Sequence, residues 1–284
     1  MSASMNHSSV IPCVPVLRRP LVAAALILGL SPVAMASGFT NITLSPAVQL
    51  TVSIENLAPA NSVSFTPLNL GFHRGIFDAF NIGQVASPAL IPLAETGNGS
   101  AWQSAFATAD PTATRGTIGG ILQPGNTSSS TFMVDSLLNP YFTFASMVVP
   151  SNDFFIGNDS PTRFRLFDSA GNLQITQITQ TARQIWDAGS EVFDPATGAF
   201  IAGADASLRP LQNSVVAFNF AELAALNGIT TAGGYTFNSN LTADTPVYRI
   251  SFAVNPISPV PEPQHAAMLV AGLLMMGTLV WRRT

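Results

Sequence analysis

The chain has 284 residues, of which 47% are hydrophobic and only 9% charged, a balance unusually apolar for a cytosolic protein. All eleven basic residues are arginine, and setting aside Arg18, Arg19, Arg282, Arg283 and Glu262 leaves seven bases against fourteen acids. The body between the ends is therefore acidic, and a nucleic-acid partner is not expected.

The surplus of apolar residues starts at the N-terminus. Arg18 and Arg19 precede an apolar run from Leu21 to Leu30, and Ala34-Met35-Ala36 follows as a small-x-small cleavage signal. This is the layout of a secretory signal peptide over residues 1–36, with signal peptidase cutting after Ala36 and the mature chain starting at Ser37. The run is too short to span a bilayer. Cys13, the single cysteine, lies before the cut, so the exported fold has no disulfide and must stand on packing.

From Ser37 onward the pattern is one of short strands between turn residues. Val48, Leu50, Val52 and Ile54 alternate with Gln49, Thr51, Ser53 and Glu55, the period of a strand with one face on a core. Phe132 with Val134, and the run from Tyr141 to Val149, predict further strands. Phe164 and Leu166 alternate with arginines, a tight turn is expected over Asp168 to Asn172, and Leu173 to Ile178 would return as the hairpin partner. Tyr248, Ile250, Phe252 and Val254 close the body. Helices are expected only over Pro88 to Glu95 and Phe220 to Asn227, the second capped by Gly228. The many Phe residues have the spacing of core strands. Short strands punctuated by proline and glycine favour an all-β antiparallel sandwich over residues 37–256.

Two stretches carry the chemistry. Trp186-Asp187-Ala188-Gly189-Ser190-Glu191 sets two carboxylates four positions apart across a glycine, a spacing that lets a turn aim both at one point. Pro150-Ser151-Asn152-Asp153-Phe154-Phe155-Ile156-Gly157 places one acid at the end of an apolar run, where it could join the pair. His73 is the sole histidine of the body and no Gly-x-Ser-x-Gly turn occurs, so serine-hydrolase chemistry has no recognisable nucleophile and base, and a packed or turn-capping role is expected for His73. Asp187 and Glu191 on one turn would share a site and not flank a scissile bond. No phosphate loop is present. Without further context, such acids are most often turn formers that bond their own backbone.

Together the two stretches resemble the signatures of the spondin domain, which read roughly Pro-Ser-Pro-Asp-Trp-Phe-Val-Gly and Tyr-Asp-Ala-Gly-Thr-Asp. Val52-Ser53-Ile54-Glu55-Asn56-Leu57 and His73-Arg74-Gly75-Ile76-Phe77-Asp78-Ala79-Phe80 are similar to the corresponding stretches of bacterial spondin-domain proteins. The resemblance implies a C2-like β-sandwich whose end loops hold a calcium ion, Ca2+, with Asp153, Asp187 and Glu191 as the ligands. Asn152, Phe154 and Glu191 depart from the signatures. The longer Glu191 could still reach the ion, or swing into solvent. Oxygen-only ligands suit calcium better than zinc or iron, and three carboxylates leave backbone carbonyls and water to complete the shell.

Residues 257–284 resemble a PEP-CTERM sorting tail. Val260-Pro261-Glu262-Pro263 precedes an apolar segment from Ala266 to Trp281, and Arg282 and Arg283 follow one residue from the end. Prolines keep the motif extended, the 266–281 helix would hold it at the inner membrane, and the arginines would stay on the cytoplasmic side. Sixteen residues is short for a span, which flanking residues can extend. This resemblance implies recognition by an exosortase in a Gram-negative bacterium, cleavage near Pro261 to Pro263, and delivery to the cell surface or extracellular matrix. The function expected is that of an exported, non-enzymatic binding or adhesion module for exopolysaccharide or a surface protein. A secreted hydrolase of surface polysaccharide or protein is the alternative.

Overall fold

The computed structural model describes residues 47–256. The stretch expected to be a signal peptide, residues 1–36, and the stretch expected to be a sorting tail, with Pro261, Glu262 and Pro263, lie outside the described residues. Among the described residues no helix is long and apolar enough to cross a membrane.

In chain order the elements are β1 (Ala47–Asn56), β2 (Ser64–Phe65), β3 (Leu68–His73), α1 (Ile91–Thr96), α2 (Ser100–Ala109), β4 (Thr114–Ile118), β5 (Thr127–Asp135), β6 (Tyr141–Val149), β7 (Phe154–Gly157), β8 (Phe164–Arg165), β9 (Gln177–Thr181), β10 (Trp186–Asp187), α3 (Phe220–Ala225) and β11 (Pro246–Asn255). The architecture is mostly β, with few helices. One sheet has four strands in the order β5-β1-β11-β9. The other follows the path β10-β7-β6-β3-β4, with β2 and β8 also paired to β6. The registers of both sheets are antiparallel throughout.

The alternation read in β1 sets the packing. Leu50, Val52 and Ile54 are buried, as are Ile250 and Phe252 of β11, and all join Leu70, Phe72, Phe142 and Phe144 from the second sheet in one apolar cluster. Ring contacts bridge the sheets. Phe142 meets Phe252 at 5.0 Å and Phe65 meets Tyr248 at 4.6 Å, both edge to face. The sheets thus pack face to face as a sandwich.

The second sheet is covered on its outer face as well, which explains why β6 is buried along almost its whole length. A second apolar cluster gathers Phe77, Phe80, Leu90, Leu93, Trp102 and Phe106 over Ala145 and Phe155. Gly71 in β3 makes room for this layer, since a Cβ there would fall 2.3 Å from the Phe106 ring. The helix α2 was not expected from the sequence. Its only buried side chains are Trp102 and Phe106, one turn apart, on a helix with no charged residue to mark the opposite face.

Two other expectations change. The turn at Asp168 forms, with the Asp168 N–H donating to Asn172 O at 3.0 Å and Gly171 at φ +81. The hairpin stops at its root, with one bridge between Phe167 and Leu173, and the chain then crosses to the other sheet as β9, paired with β11. Gly228 has φ +92 but donates to Phe237 O and not to the preceding helix, whose cap is Leu226.

His73 is fully buried between the second sheet and its helical cover. Its Nδ1 accepts from the N–H groups of Gly75 and Phe77 at 3.2 and 3.4 Å, and Nε2 lies 3.0 Å from Thr143 Oγ1. The imidazole is thus neutral and caps a turn. Burial lowers its pKa to about 4, the charge of Asp110 opposing. Below its ordinary value of 6.5 the unfolded chain takes up a proton that the folded one refuses, so this group makes stability fall as pH drops from 6.5 toward 4. A His73→Gln variant should be less stable than the parent at pH 7, with the gap narrowing toward pH 4 in melts across that range. A constant gap would show that His73 does not titrate in this way.

Candidate functional site

The loop between β6 and β7 is a junction. Ser151 Oγ donates to Val148 O at 2.6 Å and accepts from Phe154 N at 3.1 Å, closing the turn around Asp153. Asn152 Oδ1 accepts from Asp194 N at 3.1 Å, and its amide donates to Thr197 Oγ1 at 3.2 Å. At 1% exposure, the Asp153 carboxylate cannot rely on water. Its Oδ2 accepts from Ser190 N at 2.7 Å, Ser190 Oγ at 3.1 Å and Glu191 N at 3.0 Å. The acid therefore holds the 186–191 segment against β7, where β10 contributes only the pairs Trp186 with Phe155 and Asp187 with Phe154.

Gly189 makes the turn between the two expected ligands. Its φ is +66, and a Cβ would lie 2.9 Å from the backbone of Ser214 and Val215. The turn directs Asp187 and Glu191 to different partners. Asp187 Oδ1 accepts from Gly189 N at 2.7 Å, while Oδ2 accepts from Asn219 Nδ2 at 3.2 Å. Glu191 Oε1 lies 3.2 Å from Arg209 Nε, and the same guanidinium lies 3.6 Å from Glu95. The Glu191 side chain is wholly buried in that ion pair.

Glu222, in the first turn of α3, is the acid that sequence reading missed. Asn219 Nδ2 donates to Glu222 Oε1 at 2.6 Å as well as to Asp187, so one amide bridges two carboxylates. The only sequence signal was Asn219-x-x-Glu222 at a helix start, which is common as a capping pattern. Burial, then the charges of Asp187 and Asp153, raise the Glu222 carboxyl to about 7. Burial and Asp187 raise Asp153 to about 6 against the pull of its N–H donors. Burial also raises Glu191 to about 7, with Arg209 opposing and Glu95 and Asp153 adding to the rise.

These groups are near enough to disturb one another's ionisation, yet among the described residues no three His, Cys, Asp or Glu side chains are grouped as a metal ion requires. Asp153, Asp187 and Glu222 offer oxygen donors, the kind calcium takes, but as placed they do not form such a group. Glu191 differs in facing a cation, Arg209, which it shares with Glu95.

The fold and this junction define an antiparallel sandwich with a covered outer face and an end loop cluster pinned by a buried carboxylate. Residues 57–192 match the Spondin_N family model, a stretch that contains both acidic loops and ends one residue past Glu191. The match supports a spondin-domain protein. No curated protein matches the chain.

Replacing Asp153 with alanine strands two buried N–H groups and the Ser190 hydroxyl, and should cost about 3 kcal/mol by urea denaturation. Asp168→Ala, at a solvent-exposed turn, should cost much less. Equal midpoints for the two variants would remove Asp153 from its pinning role.

Proposed function

We propose that this protein is an exported, calcium-braced binding or adhesion module of the cell surface or extracellular matrix. The observation that carries the reading is the Spondin_N match, which belongs with extracellular modules of the adhesion or binding type. We read the sandwich as C2-like, with its end loops as the working surface. Arg18 and Arg19 with the Leu21 to Leu30 run support export, and Val260-Pro261-Glu262-Pro263 with the 266–281 segment supports processing by an exosortase in a Gram-negative bacterium. Exopolysaccharide and other surface proteins are the partners this address offers.

In this reading Asp153 and Asp187 hold the ion, Glu222 supplies the third carboxylate, and Glu191 stays with Arg209. Calcium would neutralise the repulsion that raises the acids, and would tie β7, β10 and α3 together. Turning the Asn219 amide by half a turn would offer its carbonyl oxygen between Asp187 and Glu222.

The sign of the pH dependence tests the site. Because Asp153 and Glu222 titrate near 6 and 7 and not at their ordinary values of 3.8 and 4.5, the folded chain binds more protons than the unfolded one between about pH 4 and 7. Without metal these groups make stability fall as pH rises through that window. Calcium needs the ionised forms, so its stabilising effect should be small at pH 5 and large at pH 7.5. Calcium at a hundred times its dissociation constant adds about 2.7 kcal/mol, or roughly 5–10 °C for a domain of this size. Asp187→Asn and Glu222→Gln should remove most of that shift, while Glu191→Gln and Asp168→Asn should keep it. Identical melts with calcium and with chelator at pH 7.5 would sink the metal site.

Export has its own test. Glu262→Ala should leave the protein in the inner membrane with its tail attached, and material shed by the parent strain should lack peptides from Leu269 to Trp281 on mass spectrometry. Normal surface delivery of the variant would remove the exosortase step.

A further inference from the structure

Between β9 and β10 the chain changes sheets. It leaves the four-stranded sheet at Thr181, makes a short 3-10 turn over Ala182–Gln184, and enters the second sheet at Trp186. Beside this crossing lies a cavity of about 260 Å³, lined by Asp159, Arg163, Gln180, Arg183, Gln184 and Trp186 among others. Asp153, Asp187, Glu191 and Glu222 are not in its wall.

Gln180 is the group that points to a ligand. It is 2% exposed, and its buried Oε1 has no hydrogen-bond partner. A buried amide oxygen left without a donor is costly, and a ligand hydroxyl in the cavity would satisfy it. The remaining wall agrees with such a ligand. Trp186 packs in part against the outer apolar cluster, its ring tilted 6.4 Å from that of Phe80, which fixes the indole where it borders the cavity. Arg163 supplies a fork of donors, and its guanidinium lies 6.0 Å from the Phe164 ring. The charge is balanced, since Asp244 pairs with Arg183 and Asp159 stands on the same wall as Arg163.

An aromatic side chain, an unpaired acceptor and a planar donor fork in a nearly neutral wall suit a ring with hydroxyls at its edge and C–H groups on its face. The volume falls just below the roughly 300–1,000 Å³ of sites for drug-sized ligands, which fits one ring and not an extended chain. We propose that this cavity binds one neutral sugar ring of a surface polysaccharide. Trp186 lies against its C–H face, a ring hydroxyl donates to Gln180 Oε1, and Arg163 donates to hydroxyl oxygens. The proposal gives the binding module of the preceding section a ligand class, but it stands on different residues and fails separately.

The test is a fluorescence and saturation-transfer NMR titration of the full chain with maltohexaose, cellohexaose and mannohexaose, and in a separate arm with a hexamer of galacturonate. Each titration is run with calcium and with chelator. At least one neutral probe should bind, at least tenfold more weakly to Trp186→Ala and severalfold more weakly to Arg163→Ala and Gln180→Leu. Trp186→Phe, which keeps the packing on Phe80, should retain part of the affinity. Arg163 is exposed, so Arg163→Ala serves as the variant that should fold normally, with its melting temperature as the control. Absence of binding by every neutral probe, binding of the galacturonate alone, or unchanged affinity in folded Trp186→Phe and Arg163→Ala variants would overturn the proposal. A chelator effect on the melting curve without an effect on sugar binding bears on the calcium site only.

Discussion

The end of the sandwich depends on the Asp153 carboxylate. A buried acid must find hydrogen-bond donors inside the protein, and Asp153 finds them on Ser190 and Glu191, 37 and 38 positions away. A two-residue strand such as β10 brings too little pairing to dock by itself. The carboxylate supplies what the ladder lacks. Once the 186–191 segment is fixed, Asp187 pairs its backbone with Ala217, Gln212 and Ser214 donate to Ser190 and Gly189, and the long irregular stretch before α3 is tied to the sheet. Asn219 and Glu222 then arrive beside Asp187 as a consequence.

The same junction gathers negative charge that the fold does not fully offset. Asp153, Glu191 and Glu222 all lie where burial favours their neutral forms, and Arg209 is the cation that faces Glu191. A folding unit that keeps three disfavoured acids around one loop cluster carries a cost in stability at neutral pH. The acids differ in what faces them. Glu222 has only an amide beside it, whereas Glu191 is held by a guanidinium.

Layering explains where a ligand can enter. Both faces of the second sheet are covered at its centre, one by the first sheet and one by the helical layer, so β3, β6 and β7 offer no open face. Openings remain at the edges, where the chain passes between layers. The crossing from β9 to β10 is such an edge, and it brings Gln180 from one sheet and Trp186 from the other to the wall of one cavity.

Periodicity in the sequence determined the one-sided strands. β1 and β11 could be read from alternation because one face meets the core and the other meets water. The run from Tyr141 to Val149 was legible as a strand from its length and apolarity, but not that a helix layer would bury its second face. That layer was hidden because α2 has no charged face, and because Gly71, which admits it, looks like any strand glycine until Phe106 is placed above it. Asp153 was legible as a loop acid close to the 186–191 stretch, and the glycine between Asp187 and Glu191 as a turn. Only the tertiary structure decided where those two acids point, since a turn fixes the backbone while Arg209 and Asn219, distant in sequence, choose the partners. For the same reason Glu222 and Gln180 could not be singled out in advance. Burial and unsatisfied polarity are properties of the packed chain, and no local pattern encodes them.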